Sequence, residues 1–182
     1  MAGFKYVGTM SQGEPQGKVK TFYTASAGIL GPGDVVLTTA ASNAAGEPTV
    51  DIGTANTANT GIVTGRIPNF SGEALSQTWI PAAGTGYLMV NTDPFALWEA
   101  DVSNGPLAAA DVGLNVPAVV TVGTVSGSLF TSNMGVNATG KATTATLPFK
   151  VIALLEDSAG VLGNRALVMT NASVYNIGAT GV

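Results

Sequence analysis

Apolar residues recur along this chain in short runs that are separated by Gly, Pro, Asn, Asp and Ser. This pattern is typical of β-strands joined by turns. The longest run is residues 147–155, LPFKVIALL, which stops before Ser158. Its β-branched residues favour a strand buried on both faces, with Pro148 at the strand entry or a bulge. Because such a strand needs a neighbour on each side, we expect the rest of the sheet to be built around it.

Roughly ten strand candidates follow one another at short spacing, which predicts an antiparallel sandwich or barrel. The clearest hairpin is predicted for residues 87–90 and 95–101, which flank the turn Asn91-Thr92-Asp93-Pro94. The one helical signal is residues 107–113, LAAADVG, which are Ala-rich and end in Gly. The predicted fold class is therefore all-β, an antiparallel β-barrel or jelly-roll-like sandwich with one short helix.

The N-terminal part of the chain is predicted to be an extended arm, residues 1–24, ahead of a body formed by residues 25–182. The arm contains Gly, Gln, Pro and Lys with little periodicity until residues 19–23, which alternate like a first strand. Phe4 and Tyr6 either pack on their own barrel or reach a neighbouring subunit.

The composition points to a protein that shares its surface with others. Charged residues form only 10% of the chain, against roughly a quarter in ordinary globular domains. No apolar stretch is long enough to cross a bilayer, so we expect no contact with a membrane. Because the few charges suggest that much of the surface is covered by a partner, we expect an oligomer or an assembled particle. The arm carries Lys5, Lys18 and Lys20 against Glu14, a net charge of +2, and the rest of the chain carries −6. The positive charge of these three lysines favours contact with an acidic neighbouring protein, but three lysines are too few to indicate nucleic-acid binding.

The chain contains neither Cys nor His. The usual general base near neutral pH, thiolate nucleophiles and the commonest transition-metal ligands are therefore missing. We expect no metal and no cofactor. The first ten residues lack the apolar core of a signal peptide, which predicts synthesis in the cytoplasm.

Three groups of side chains are candidates for chemistry. Glu99 and Asp101 are two residues apart on a predicted strand, so their side chains project from the same face. This arrangement fits either a solvated strand face or a pair of carboxylates that act as acid and base. Trp79 and Trp98 suit core or interface packing, or stacking on a sugar ring or a base. Three further carboxylates, Asp93, Asp111 and Asp157, are expected either to stabilise turns by hydrogen bonds to the backbone or to bind calcium.

Pieces spread over most of the chain, taken in order, resemble the cement, or decoration, proteins of tailed-bacteriophage heads. The pieces are GFKY from Gly3, GKVKTFY from Gly17, GDVV from Gly33, DPFALWE from Asp93, AADVGLN from Ala109, VSGSL from Val125, TLPFKV from Thr146 and RALVMTN from Arg165.

The resemblance implies a structural virion protein with a β-barrel or jelly-roll-like body and no catalytic residues, which fits the absence of His and Cys. Such a protein is made in the host cytoplasm, sits on the capsid exterior, associates with itself as a dimer or trimer, and cements neighbouring major capsid proteins. The residues then expected to contact an acidic capsid surface are Phe4, Lys5, Tyr6, Lys18 and Lys20. Trp79, Trp98 and Phe149 are expected in the core or the subunit interface.

Two other functions stay open at this point. One is a carbohydrate-binding or tail-associated β-sandwich module that uses an exposed Trp. The other is a hydrolase that uses Glu99 and Asp101.

Overall fold

The computed structural model describes residues 3–10, 18–68 and 77–174. Strands and bridges hold 51% of the described residues and helix 3%, which confirms the predicted all-β class. In chain order the strands are β1 (Lys5–Thr9), β2 (Val19–Thr24), β3 (Val35–Ser42), β4 (Pro48–Ile52), β5 (Gly61–Ile67), β6 (Gly86–Asn91), β7 (Ala96–Ser103), β8 (Asn115–Val116), β9 (Ala118–Val119), β10 (Thr124–Ser126), β11 (Leu129–Thr131), β12 (Gly135–Asn137), β13 (Phe149–Glu156) and β14 (Leu162–Thr170).

The strands β2 to β6 form a closed barrel in the spatial order β2-β4-β3-β5-β6. Closure depends on β6, which pairs antiparallel with β5 on one side and with β2 on the other. Alternate side chains point inward, as the two-residue period of a strand requires. The barrel core consists of Phe22, Leu30, Val36, Val50, Val63, Ile80, Leu88 and Val90.

The second sheet has seven strands in the order β8-β13-β14-β7-β12-β9, with β1 added to β7. Strands β10 and β11 form a separate two-stranded hairpin. The barrel and the sheet pack directly on each other, because Val35 and Ile62 of the barrel strands belong to the sheet core. Ile52 packs against both cores.

The strand predicted at residues 147–155 forms as β13, and it has a neighbour on each side, β14 and β8. Only one of its faces is fully buried: Phe149 and Val151 lie in the core, whereas Lys150 and Ile152 are half-buried. The centre of the sheet is instead β7, which pairs with β1, β12 and β14.

The predicted hairpin of residues 87–90 and 95–101 is wrong. Residues 87–90 lie in β6, both edges of which are occupied by barrel strands, so no edge is left for β7. The turn between them instead carries the chain from the barrel into the sheet.

Asp93 holds this crossing in place. The side chain is buried, and it accepts hydrogen bonds from Thr9 Oγ1 at 2.6 Å, Lys18 Nζ at 2.8 Å and the Phe95 N–H at 2.9 Å. The Asp93 N–H in turn donates to Asn91 Oδ1 at 2.8 Å. Burial opposes ionisation, but the three donors outweigh it and hold the pKa of Asp93 below its ordinary value. One carboxylate thus joins β1, the approach to β2 and the start of β7.

A helix was predicted at residues 107–113, but the structure has only a three-residue 3-10 helix there, Ala109–Asp111. Asp111 Oδ2 accepts the Ala108 N–H at 2.8 Å and also pairs with Lys141. The chain then turns at Gly113, with φ of +92°, and the Gly113 N–H bonds to the Val151 carbonyl of β13. Bonding to β13 ends the helix before an α-helical turn forms.

The described parts of the predicted arm are strands of the two sheets. β1 pairs with β7, and β2 is part of the barrel. Residues 1–2 and 11–17 lie outside the described residues. The ring of Phe4, only 5% exposed, stacks on Phe149 with centroids 4.7 Å apart, which secures the start of β1 to the sheet core.

A second buried carboxyl, Asp34, lies where β1 meets the barrel. The adjacent Gly33 carbonyl accepts the Phe4 N–H at 3.1 Å, and Asp34 Oδ2 accepts the Gly31 N–H at 3.0 Å. Burial raises the pKa of Asp34 to about 6, and the hydrogen bond from the Gly31 N–H offsets this only in part.

We predict that Asp93→Asn lowers the free energy of unfolding by about 2–4 kcal/mol, because Lys18 and Thr9 lose the charged acceptor that the crossing depends on. Urea unfolding at pH 7 measures the loss. Glu156→Gln, at the exposed end of β13, is the matched control and should change stability by less than about 0.5 kcal/mol. Equal effects of the two substitutions would contradict the role given to Asp93.

Ionisation of the buried Asp34 carboxyl makes the free energy of unfolding fall as the pH rises. Its pKa is higher in the folded chain than the ordinary 3.8, so its stabilising contribution is complete below 3.8 and is lost as the pH rises through about 6. We expect Asp34→Asn to remove this component, which amounts to roughly 3 kcal/mol. Unfolding curves of both chains from pH 3.5 to 7.5 test this; parallel pH profiles would refute it.

Candidate interaction site

An open cleft of about 850 Å³ lies between β1, β7 and β14. It forms because β1 pairs with β7 only as far as Lys5 opposite Glu99, whereas β12 begins to pair with β7 at Val102. Ahead of Lys5 the chain leaves β7, and the Phe4 N–H bonds to Gly33 instead. Gly3, with φ of +72°, makes this turn, and a Cβ there would lie 2.4 Å from Ser132. We call this opening the β1 cleft.

The wall of the β1 cleft carries a three-residue ionic cluster. Glu99 and Asp101 project from the same face of β7, as predicted, and the strand register puts Arg165 of β14 directly opposite Asp101. The Arg165 guanidinium contacts Glu99 and lies 3.9 Å from Asp101. The two carboxylates therefore share one cation on one strand face, which is not the facing arrangement of glycosidase carboxylates.

A turn at the end of β13 closes one side of the cleft. Asp157 accepts hydrogen bonds from Asn164 Nδ2 at 2.8 Å and from the N–H groups of Val161 and Ala159, each at 2.9 Å. The bond from Asn164, followed by the backbone donors, holds the pKa of Asp157 below its ordinary value. Asp157, Asp93 and Asp111 are thus all engaged in turns or ion pairs.

Lys5, Tyr6 and Trp98 also line the cleft. Tyr6 is 36% exposed and packs edge-on against Trp98, with ring centroids 5.3 Å apart. Trp98 is buried, and its Nε1–H has no acceptor among the described residues. Lys5 forms no ion pair within the described part of the chain.

The structure brings four of the sequence-predicted site residues together at the β1 cleft: Phe4, Lys5, Tyr6 and Trp98. Phe149 lies behind them, stacked on Phe4. Of the two options for Phe4, packing on its own body is the one that the structure shows.

The other three predicted site residues lie elsewhere. Lys18 pairs with Asp93 at the far end of β1, and its ammonium lies 5.7 Å from the centre of the Phe95 ring. Lys20 is exposed on β2 of the barrel. Trp79 is half-buried beside Ile80 and stacks on Phe130 of the β10–β11 hairpin, with centroids 6.5 Å apart.

Next to the cleft, β1 presents an apolar surface. Its partner on one side is β7, and no described strand pairs with its other edge. Four side chains form what we call the β1 patch, with exposed fractions of 36% to 62%: Tyr6, Val7, Met10 and Phe95. Met10 and Phe95 are adjacent, because the Met10 N–H bonds to the Phe95 carbonyl at 3.0 Å.

Sequence reasoning missed Arg165 and Asp34. Arg165 gains its role from the pairing of β14 with β7, which no local pattern encodes. The turn Gly31-Pro32-Gly33-Asp34 was recognisable as a turn, but its burial beneath β1 was not.

Among the described residues, no helix is long and apolar enough to span a membrane, and no three His, Cys, Asp or Glu side chains are grouped for a metal. No protein-family model, curated protein or solved structure matches the chain.

Replacing the shared cation tests the ionic cluster. We predict that Arg165→Gln lowers the free energy of unfolding by about 1–3 kcal/mol, because Glu99 and Asp101 then lie side by side on β7 without the positive charge of Arg165. The double variant Arg165→Gln/Glu99→Gln should recover part of the loss, since one carboxylate remains. Denaturant titrations of the wild type and both variants measure this; a double variant less stable than the single one would contradict it.

Proposed function

We propose that this protein is a structural virion protein that binds the exterior of a phage capsid and cements neighbouring major capsid proteins. The observation that carries the proposal is the β1 patch, a strand edge with exposed apolar side chains on a chain with few charges. An edge of this kind is a template for pairing with another chain, and soluble proteins normally shield it.

The chemistry of the patch fits an extended segment of a neighbouring protein. The edge of β1 with which no described strand pairs offers backbone groups for strand addition, and Val7 and Met10 offer apolar contacts. Lys5 at one end of β1 adds a positive charge that has no ion-pair partner among the described residues, which suits the acidic capsid surface expected from the sequence. Cohesion then comes from area buried across the seam between capsid subunits.

Self-association is the second part of the proposal. A dimer or trimer would place several β1 patches on one particle, and simultaneous attachment would raise the effective affinity for a repeating shell. Exposed apolar side chains outside the patch, such as Val125 and Leu129 of the β10–β11 hairpin, are available for such contacts.

Co-sedimentation with empty tailed-phage heads tests the proposal. We expect the wild-type chain, a dimer or trimer by light scattering, to pellet with the heads. Val7→Glu and Lys5→Glu should each weaken this binding at least about tenfold, because one places a charge in the apolar contact and the other reverses the attraction.

Val112→Glu is the matched control, because Val112 is exposed to 41% and belongs neither to the β1 patch nor to the β10–β11 hairpin. It should bind heads like the wild type. A wild-type chain that does not pellet with heads would refute the cement function, and binding unaffected by both β1 substitutions would refute the role of the patch.

A further inference from the structure

The β10–β11 hairpin is separate from both sheets and lies in an uncharged part of the chain. Among the described strands, β10 and β11 pair only with each other. Residues 112–140, which include the hairpin, contain no Asp, Glu, Lys or Arg. Charged side chains, bulges and covering loops normally keep a strand edge from pairing with another chain. The edge of β10 has no charges, and all three of its residues are exposed, so it is suited to strand pairing.

Contacts with the barrel side of the body hold the hairpin in one position. Phe130 of β11 stacks on Trp79, with ring centroids 6.5 Å apart. Two glycines make room for this ring, because a Cβ would lie 2.6 Å from it at Gly31 and 2.5 Å from it at Gly123. A two-stranded hairpin is only marginally stable by itself. The anchored Phe130 therefore keeps β10 extended, and a strand that is already ordered loses less entropy when it pairs.

The register of the hairpin decides which backbone groups of β10 point outward. Ser126 lies opposite Leu129 across the two-residue turn, so these two residues exchange hydrogen bonds. Hydrogen-bonded and non-hydrogen-bonded pairs alternate along an antiparallel ladder. The next pair, Val125 and Phe130, is therefore not hydrogen-bonded, and Val125 directs its N–H and its carbonyl to the outer edge of β10.

A second copy of the same chain is the partner that fits this edge. An uncharged edge offers no ion pairs to a charged partner, whereas two copies of it meet without repulsion between like charges. Two identical strands that pair antiparallel are related by a two-fold axis, which places the same surface on both partners. With Val125 on this axis, the Val125 N–H of each copy donates to the Val125 carbonyl of the other.

We propose that two copies of this chain associate through β10 and form a four-stranded antiparallel sheet in the order β11-β10-β10-β11. The inference rests on the self-association part of the proposed function and narrows it to a dimer. Val125 lies opposite Phe130 in the hairpin, so the two Val125 side chains lie side by side between the two Phe130 rings. No residue of the β1 patch takes part in this pairing.

Exchanging charges at Val125 tests the two-fold pairing. The wild-type chain should be a dimer by light scattering and sedimentation. Val125→Glu and Val125→Lys should each weaken association at least about tenfold, because identical charges then meet on the axis. An equimolar mixture of the two variants should form a dimer again, with one copy of each. Val112→Glu, which adds a charge at an exposed position outside the hairpin, should remain a dimer.

The absence of Cys from the chain permits a second test. Residues that lie opposite each other in a hydrogen-bonded antiparallel pair have Cα atoms about 5.5 Å apart, which is within the range that a disulfide spans. Val125→Cys should therefore form a disulfide-linked dimer under mild oxidation of dilute protein, and Val112→Cys should do so far more slowly. Circular dichroism checks that each variant is folded.

Four results would overturn the proposal: a wild-type chain that is a monomer or a trimer, folded Val125→Glu that remains a dimer, a mixture of the Glu and Lys variants that stays monomeric, or cross-linking at Val125 no faster than at Val112. Sedimentation with phage heads is read separately. A monomeric wild type that pellets with heads would refute the dimer alone, and a dimer that does not pellet would refute the cement function alone.

Discussion

The structure depends on one buried carboxylate at the place where the chain passes from the barrel to the sheet. Asp93 collects donors from Thr9, Lys18 and Phe95, which belong to segments far apart in sequence. Hydrogen bonds to an ionised acceptor are shorter and stronger than those between neutral groups. Because the same side chain fixes the end of β1, the approach to β2 and the start of β7, the orientation of the two sheets and the position of the β1 edge have a common origin.

The cleft and the patch both follow from how β1 is attached. At one end β1 is joined to the crossing through Thr9, and at the other Phe4 is held against Phe149 and Gly33. The second attachment draws the chain away from β7 and leaves the opening between β1 and β12. The β1 patch and the β1 cleft thus both depend on the position of β1, and that position is held by residues buried elsewhere.

Local patterns in the sequence were sufficient for the fold class and for most strands. The run at residues 147–155 became β13 with a neighbour on each side, because β-branched residues between turn signals favour the extended chain wherever it pairs. The predicted projection of Glu99 and Asp101 from one face also holds, since it needs only the two-residue period of a strand.

Pairing partners were not predictable in the same way. The segments on either side of Asp93 have the sequence pattern of a hairpin. They belong to different sheets, because both edges of β6 are paired, one with β2 and the other with β5. The Ala-rich segment before Gly113 reads as a helix, but backbone bonding to Val151 of β13 takes precedence over its intrinsic propensity. The cation of the cleft, Arg165, lies 64 residues from Asp101 and meets it only through strand register. Long-range pairing of this kind has no local signature.

The order of the strands along the chain sets an order of events during synthesis. All five barrel strands lie between Val19 and Asn91, so the barrel is complete in sequence before the sheet exists. β1 is made first but pairs with β7, and Phe4 can be buried only after Phe149, near the other end of the chain, has left the ribosome. Because non-local contacts close late, β1 passes through a long interval as an unpaired nascent strand. Its short length and the lysine at its start are the protection that it has against aggregation during that interval.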